Sequence, residues 1–267
     1  MKKFFLNIFL ITLAFSACKE KVTIEMQDAN PLLVVEGELT TETDSSFVRL
    51  SLSSNYYTAT EPIMVKTAQV SVNGVPFFFD PTKNLYKPEL GYVGKTDSTY
   101  NLLISYDSKI YTSTAKLERM FRVDSFFQTW KEAEGFLPAG YSVSYAGYDD
   151  RPLIKYTYFV NGKVDSATQQ DSFARQRVLW DNSQTPANKQ YVFEVPFARF
   201  KSGETYLAIF RSVDKNMYDF IRETNSQNPN IPGPFQTPPT NLPTNITGGA
   251  LGYFATYDVK RWRYTVK

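Results

Sequence analysis

The sequence predicts a mainly β protein: an N-terminal β-sandwich of immunoglobulin or transthyretin type, followed by a second strand-rich region with one short helix and a proline-rich loop. Three observations lead there. Aromatic residues make up 16% of the 267 residues, and with frequent β-branched residues they suit packed strands. Short segments alternate apolar and polar residues with a period of two. Asn-Gly pairs follow two of these segments, a strong signal for a two-residue hairpin.

The chain opens with Met1-Lys2-Lys3, a nearly unbroken apolar run from Phe4 to Phe15, and small residues at Ser16-Ala17. That order is the pattern of a secretory signal, and its apolar run is too short for the roughly 20 residues that span a bilayer. Phe15-Ser16-Ala17-Cys18 resembles a bacterial lipobox, in which the cysteine is lipidated and becomes the mature N-terminus. Cys18 is therefore the expected lipidation site, and its covalent lipid the only attached group expected. Residues 18–30 read as a polar tether without an apolar period.

The first domain is expected over residues 31–117. Val48, Leu50 and Leu52 share one strand face, and Ala68, Val70 and Val72 another. Asn73-Gly74 turns the chain into Val75–Phe79, and Tyr100–Tyr106 pairs with Ile110–Leu117 through Asp107-Ser108-Lys109. The second region, 118–267, carries strand candidates at Val123–Trp130, Tyr141–Tyr145, Leu153–Val160, Tyr191–Phe197 and Thr205–Arg211, with a hairpin turn expected at Asn161-Gly162. Met217, Phe220, Ile221 and Thr224 recur at helical spacing behind Asp214, a suitable N-cap, so a helix is expected near 214–224. Six prolines between 228 and 245 exclude helix and central strand there. Ala250–Tyr257 and Val259–Val266 are the last strands.

Composition narrows function. The chain has no histidine, and Cys18 is its only cysteine. Histidine-dependent triads, zinc sites of the HExxH type and, once Cys18 is lipidated, thiolate chemistry are all excluded. No catalytic residue, cofactor or metal is expected. Removing residues 1–17 takes away Lys2 and Lys3 and leaves 27 basic against 27 acidic residues, so nothing draws the body to nucleic acid.

Several constellations invite chemistry and have plainer readings. Glu36 and Glu38 share a strand face about 6.5–7 Å apart, a spacing suited to glycoside hydrolysis, yet both also fit the polar face of a sandwich strand. Asp149-Asp150 could offer oxygen ligands to calcium, without the surrounding acidic pattern of a calcium loop. Lys260–Tyr264 interleaves bases with aromatics, but as a strand it places Trp262, Tyr264 and Val266 on one face and Arg261 and Arg263 on the other. Tyr141, Tyr145, Tyr148, Tyr156 and Tyr158 are the candidate ligand-binding residues, since exposed tyrosines stack on sugars and grip peptides.

These features together resemble a bacterial lipoprotein family known as domain of unknown function 4249 (DUF4249), widespread in Bacteroidota. The resemblance rests on the lipobox, on Leu33-Val34-Val35-Glu36-Gly37-Glu38, on Pro62–Gly74, and most specifically on Asn245-Ile246-Thr247-Gly248-Gly249-Ala250-Leu251-Gly252-Tyr253-Phe254. It implies a lipid-anchored protein of the cell outer membrane, on its surface or periplasmic side, accessory to a TonB-dependent, SusC-like receptor in nutrient uptake. A stand-alone carbohydrate- or peptide-binding lipoprotein is the alternative. The resemblance brings no catalytic residues with it.

Overall fold

The computed structural model describes residues 30–54, 61–151, 155–164, 171–183, 189–195, 198–227 and 242–267, with 171–177 as backbone only. Cys18, the signal segment, most of the tether and residues 228–241 of the proline-rich stretch lie outside them. Pro31–Lys267 form one compact unit, mainly β with one short helix.

The first half supplies eight strands: β1 (Leu33–Thr40), β2 (Phe47–Leu52), β3 (Ile63–Met64), β4 (Gln69–Val72), β5 (Val75–Asp80), β6 (Leu85–Lys87), β7 (Ser98–Tyr106) and β8 (Lys109–Leu117). The expected hairpins form where the turn residues permit them. Asn73 and Gly74 sit at φ 48° and 79°, and Asp107 and Ser108 at φ 49° and 58°. This double positive-φ geometry matches the right-handed twist of the flanking strands. Alternation then sends Val35, Val48, Val72, Leu102 and Ile104 into one apolar core.

The second half supplies β9 (Arg122–Lys131), β10 (Gly140–Tyr148), β11 (Tyr156–Val164), β12 (Asp171–Asp181), β13 (Gln190–Glu194), β14 (Thr205–Val213), helix α1 (Lys215–Ser226), β15 (Leu251–Tyr257) and β16 (Val259–Thr265). Asp214 caps α1 as expected, its carboxylate accepting from the Met217 N–H at 2.7 Å. β13-β10-β9 and β12-β11-β14-β16 make two antiparallel sheets. Between them lies an aromatic core in which Tyr145 meets Phe210 at 5.1 Å and Phe193 at 5.2 Å.

Two expectations are corrected. Asn161-Gly162 is not a turn but lies within β11, where Asn161 pairs on both sides and Gly162 pairs with β14. Asn161 is buried, and its side-chain carbonyl accepts from the Tyr206 hydroxyl at 2.5 Å; that partner and a bulge opposite β12 let the strand continue. β15, expected within the second region, instead pairs in parallel with β1 and forms the edge of the first sheet, in the order β15-β1-β2-β6-β5-β4-β7-β8 with β3 beside β2.

That crossover closes the first sheet into a sandwich- or barrel-like roll. Phe254 of β15 enters its core, while Tyr253, Ala255 and Tyr257 face outward, against Leu207, Ile209 and α1. The residues before β15 hold the seam. The Thr247 N–H donates to the Thr112 carbonyl at 2.8 Å. Asn245 donates to the Phe254 carbonyl at 2.7 Å and accepts from the Phe254 N–H at 3.0 Å, imitating a strand neighbour. Gly252 (φ 92°) passes so close to the Val35 backbone that a Cβ would collide with it.

Candidate functional site

The five predicted tyrosines do not form one surface. Tyr145 is 2% exposed and sits in the aromatic core, and that burial pushes its hydroxyl well above the ordinary range. Tyr141 points into the same core and meets the Trp130 ring edge-on at 5.2 Å. Tyr156 and Tyr158 project from the opposite face of the neighbouring sheet, where Tyr156 packs on Tyr218 of α1 at 4.5 Å. Tyr148 lies at the end of β10 with the Arg122 guanidinium 5.5 Å above its ring. Proximity along the chain misled here, because Tyr141 and Tyr145 belong to one sheet and Tyr156 and Tyr158 to another.

The acidic candidates are engaged. Arg151 grips Asp149 with two charge-assisted bonds of 2.8 and 2.7 Å, both side chains 1–2% exposed. The Arg151 backbone N–H adds a third bond to Asp149 at 3.1 Å and Asn182 a fourth at 3.0 Å, and Arg119 holds Asp150 at 2.8 Å. Burial alone would raise the Asp149 carboxyl; the Arg151 bonds outweigh it and hold the carboxyl below its ordinary value. Among the described residues no three ligating side chains are grouped to hold a metal ion.

Glu36 bonds Arg49 at 2.8 Å near the surface. Glu38 lies between the first sheet and β14, 3.4 Å from Arg211, and burial raises its carboxyl despite that partner. Each glutamate thus has its own arginine. On β16, Trp262 and Tyr264 pack inward, and Arg261 makes a forked contact with Glu42, 2.9 Å on its longer arm.

The feature that sequence reading missed lies on the outer face of the first sheet. Strands β5, β4, β7 and β8 stand side by side there, and their outward residues form two rows: Pro76–Ser71–Leu103–Thr112 and Phe78–Gln69–Ser105–Ile110. A groove of about 490 Å³ opens along these rows, within the roughly 300–1,000 Å³ typical of ligand sites. Its lining is mostly apolar, with Gln69, Ser71 and Ser105 offering an amide and two hydroxyls and Lys66 the only charge. One wall is pinned from beneath. The Tyr86 hydroxyl donates to the Val65 carbonyl at 3.1 Å and accepts from the Ala68 N–H at 3.0 Å.

The one sequence signal for the groove was the run Val75-Pro76-Phe77-Phe78-Phe79. Three successive aromatics cannot all face the core of a strand with period two. Phe77 does, and Phe78 is left 57% exposed.

A family model described as a domain of unknown function, DUF4249, matches residues 19–263. The chain belongs to that family. The match covers every described strand except the last residues of β16, so the DUF4249 unit includes both the rolled sheet with its groove and the aromatic sandwich. No curated protein matches the chain.

Proposed function

We propose that this DUF4249 chain is a non-catalytic, lipid-anchored subunit of the outer membrane that binds a partner, a TonB-dependent, SusC-like receptor or another outer-membrane complex. The observation that carries the binding reading is the groove beside Phe78 and Leu103. It holds apolar surface open to solvent on a rigid sheet, and exposed apolar surface rimmed by polar groups marks interaction sites. The non-catalytic reading draws support from Glu36, Glu38, Asp149 and Asp150, each held by an arginine rather than aimed into a cleft.

Gentle-detergent extraction of the tagged full chain from its native membrane, read by mass spectrometry, tests the reading. A large β-barrel protein recovered in near-equal amount is expected; recovery of the chain alone refutes it. The groove also favours a second reading, a stand-alone binder of carbohydrate or peptide, because Phe78 lies in one row with Gln69 and Ser105. That reading predicts stabilisation of about 2.7 kcal/mol at ligand a hundredfold above its dissociation constant. Unchanged melting across glycans and peptides removes it.

A further inference from the structure

Twelve large apolar side chains are exposed among the described residues, and five converge on one end of the rolled sheet: Leu32, Ile63, Ile110, Leu242 and Leu251, between 38% and 67% exposed. Convergence of this kind needs a reason that scattered surface residues do not. Backbone pairing places them together. The Leu32 carbonyl accepts from the Ser53 N–H at 2.8 Å, and Leu52 pairs with Ile63. Leu251 pairs with Val34, and Gly248 passes so close to Ile110 that a Cβ on it would collide with the Ile110 carbonyl. Leu242 stands two residues before Thr244, whose hydroxyl donates to the Gly252 carbonyl at 2.7 Å.

This is also the end at which the chain arriving from Cys18 enters β1. Twelve residues, 19–30, separate Cys18 from Pro31, and that length spans at most about 43 Å. The opposite end lies the eight residues of β1 further on, about 27 Å. It falls within that reach only if the tether doubles back along the body, whereas the near end needs no such return. At that opposite end, the loop after β6 carries Leu90, 83% exposed, on its way to Gly94, whose N–H reaches the Thr40 carbonyl at 2.8 Å.

We propose that the apolar end formed by Leu32, Ile63, Ile110, Leu242 and Leu251 is a membrane seat, resting in the lipid interface beside the Cys18 anchor. The proposal rests on the lipid-anchored reading above. Charge is not the driving force. Among the described residues, Lys83 and Lys109 lie at the turns of this end, and Asp80, Asp107 and Glu61 offset them. Apolar burial carries the contact, so it persists in raised salt.

The test places a fluorophore on a cysteine at position 63, 110 or 251, or at position 90 as control, in the full lipidated chain. The labelled chain is reconstituted into vesicles of phosphatidylethanolamine and phosphatidylglycerol with brominated acyl chains. Bromine quenches only probes that reach the acyl boundary. Loss of emission is expected at Ile63→Cys, Ile110→Cys and Leu251→Cys, unchanged in raised salt, with emission retained at Leu90→Cys. A lipidated, vesicle-bound chain with no quenching at the three positions, with equal quenching at position 90, or with quenching that salt abolishes, overturns the seat alone. A chain that carries no lipid and stays off the vesicles refutes the anchor and the seat together.

Discussion

Replacing Arg151 with methionine removes the guanidinium that holds the Asp149 carboxylate but keeps most of the apolar stem. Asp149 then keeps two neutral donors, the Asn182 amide at 3.0 Å and the backbone N–H of residue 151 at 3.1 Å, and no charged partner. Its side chain is 2% exposed, so water does not replace what is lost. Breaking a buried pair from one side costs about 3–5 kcal/mol. For a body of this size that corresponds to a fall in melting temperature of roughly 6–20 °C.

The sign of the pH dependence is the sharper reading. In the native protein the folded Asp149 carboxyl lies below its ordinary value of 3.8. The pair therefore contributes stability that is present above that value and lost as pH falls through it and below. Without Arg151, burial dominates and raises the folded carboxyl above its unfolded value. Stability of Arg151→Met should then rise as pH falls from neutral toward the unfolded value, opposite to the contribution of the intact pair. Urea melts of both proteins at neutral and mildly acid pH measure this. A cost below about 1 kcal/mol, or a difference between the two proteins that does not shrink on acidification, refutes the reasoning. Leucine at 149 together with methionine at 151 should recover most of the loss, because the burial of an unpaired charge is removed.

Other predictions concern the seam and the helix. Asn245→Ala should cost about 2 kcal/mol, since two hydrogen bonds to the Phe254 backbone are lost, and amide exchange in β15 should accelerate. Gly252→Ala should destabilise more than Asn245→Ala, because a positive φ and a backbone collision coincide there; equal melting temperatures for Gly252→Ala and wild type would contradict the parallel register. Asp214→Ala should cost about 1 kcal/mol, with loss of helical signal in circular dichroism confined to α1.

Most strands were legible from local pattern. β2, β5, β7, β8 and β14 lie within a few residues of where alternation and turn chemistry put them, and α1 begins at its predicted cap. β3 and β6, two and three residues long, carry too little sequence to show a period. β12 (Asp171–Asp181) reads Asp-Ser-Phe-Ala-Arg-Gln-Arg-Val, where polar residues interrupt any apolar alternation. The Asn161-Gly162 turn failed because a strong local signal met a buried partner, Tyr206, that sequence alone does not reveal.

The family string from Asn245 to Phe254 was visible as a motif, but its purpose was not. Its polar residues and glycines serve a seam, with Asn245 imitating a strand neighbour, Thr247 joining β8, and Gly252 giving β15 room beside β1. The groove left a single trace in the sequence, since three phenylalanines in a row suggest burial and strand parity leaves Phe78 outside, but the strands that line it beside Phe78 are set by tertiary pairing.

By itself the sequence determined what depends on neighbours along the chain: strand and turn positions, the capped helix, the absence of histidine chemistry and the family. The tertiary structure decided what depends on residues far apart. It placed β15 in the first sheet across more than two hundred residues, divided the five tyrosines between two sheets, and set an arginine against each candidate carboxylate. It also gathered Leu32, Ile63, Ile110, Leu242 and Leu251 at one end. The physical reason is that side-chain period and turn geometry are local properties, whereas the choice of which sheet edge a strand joins is made by core packing and backbone fit between distant segments.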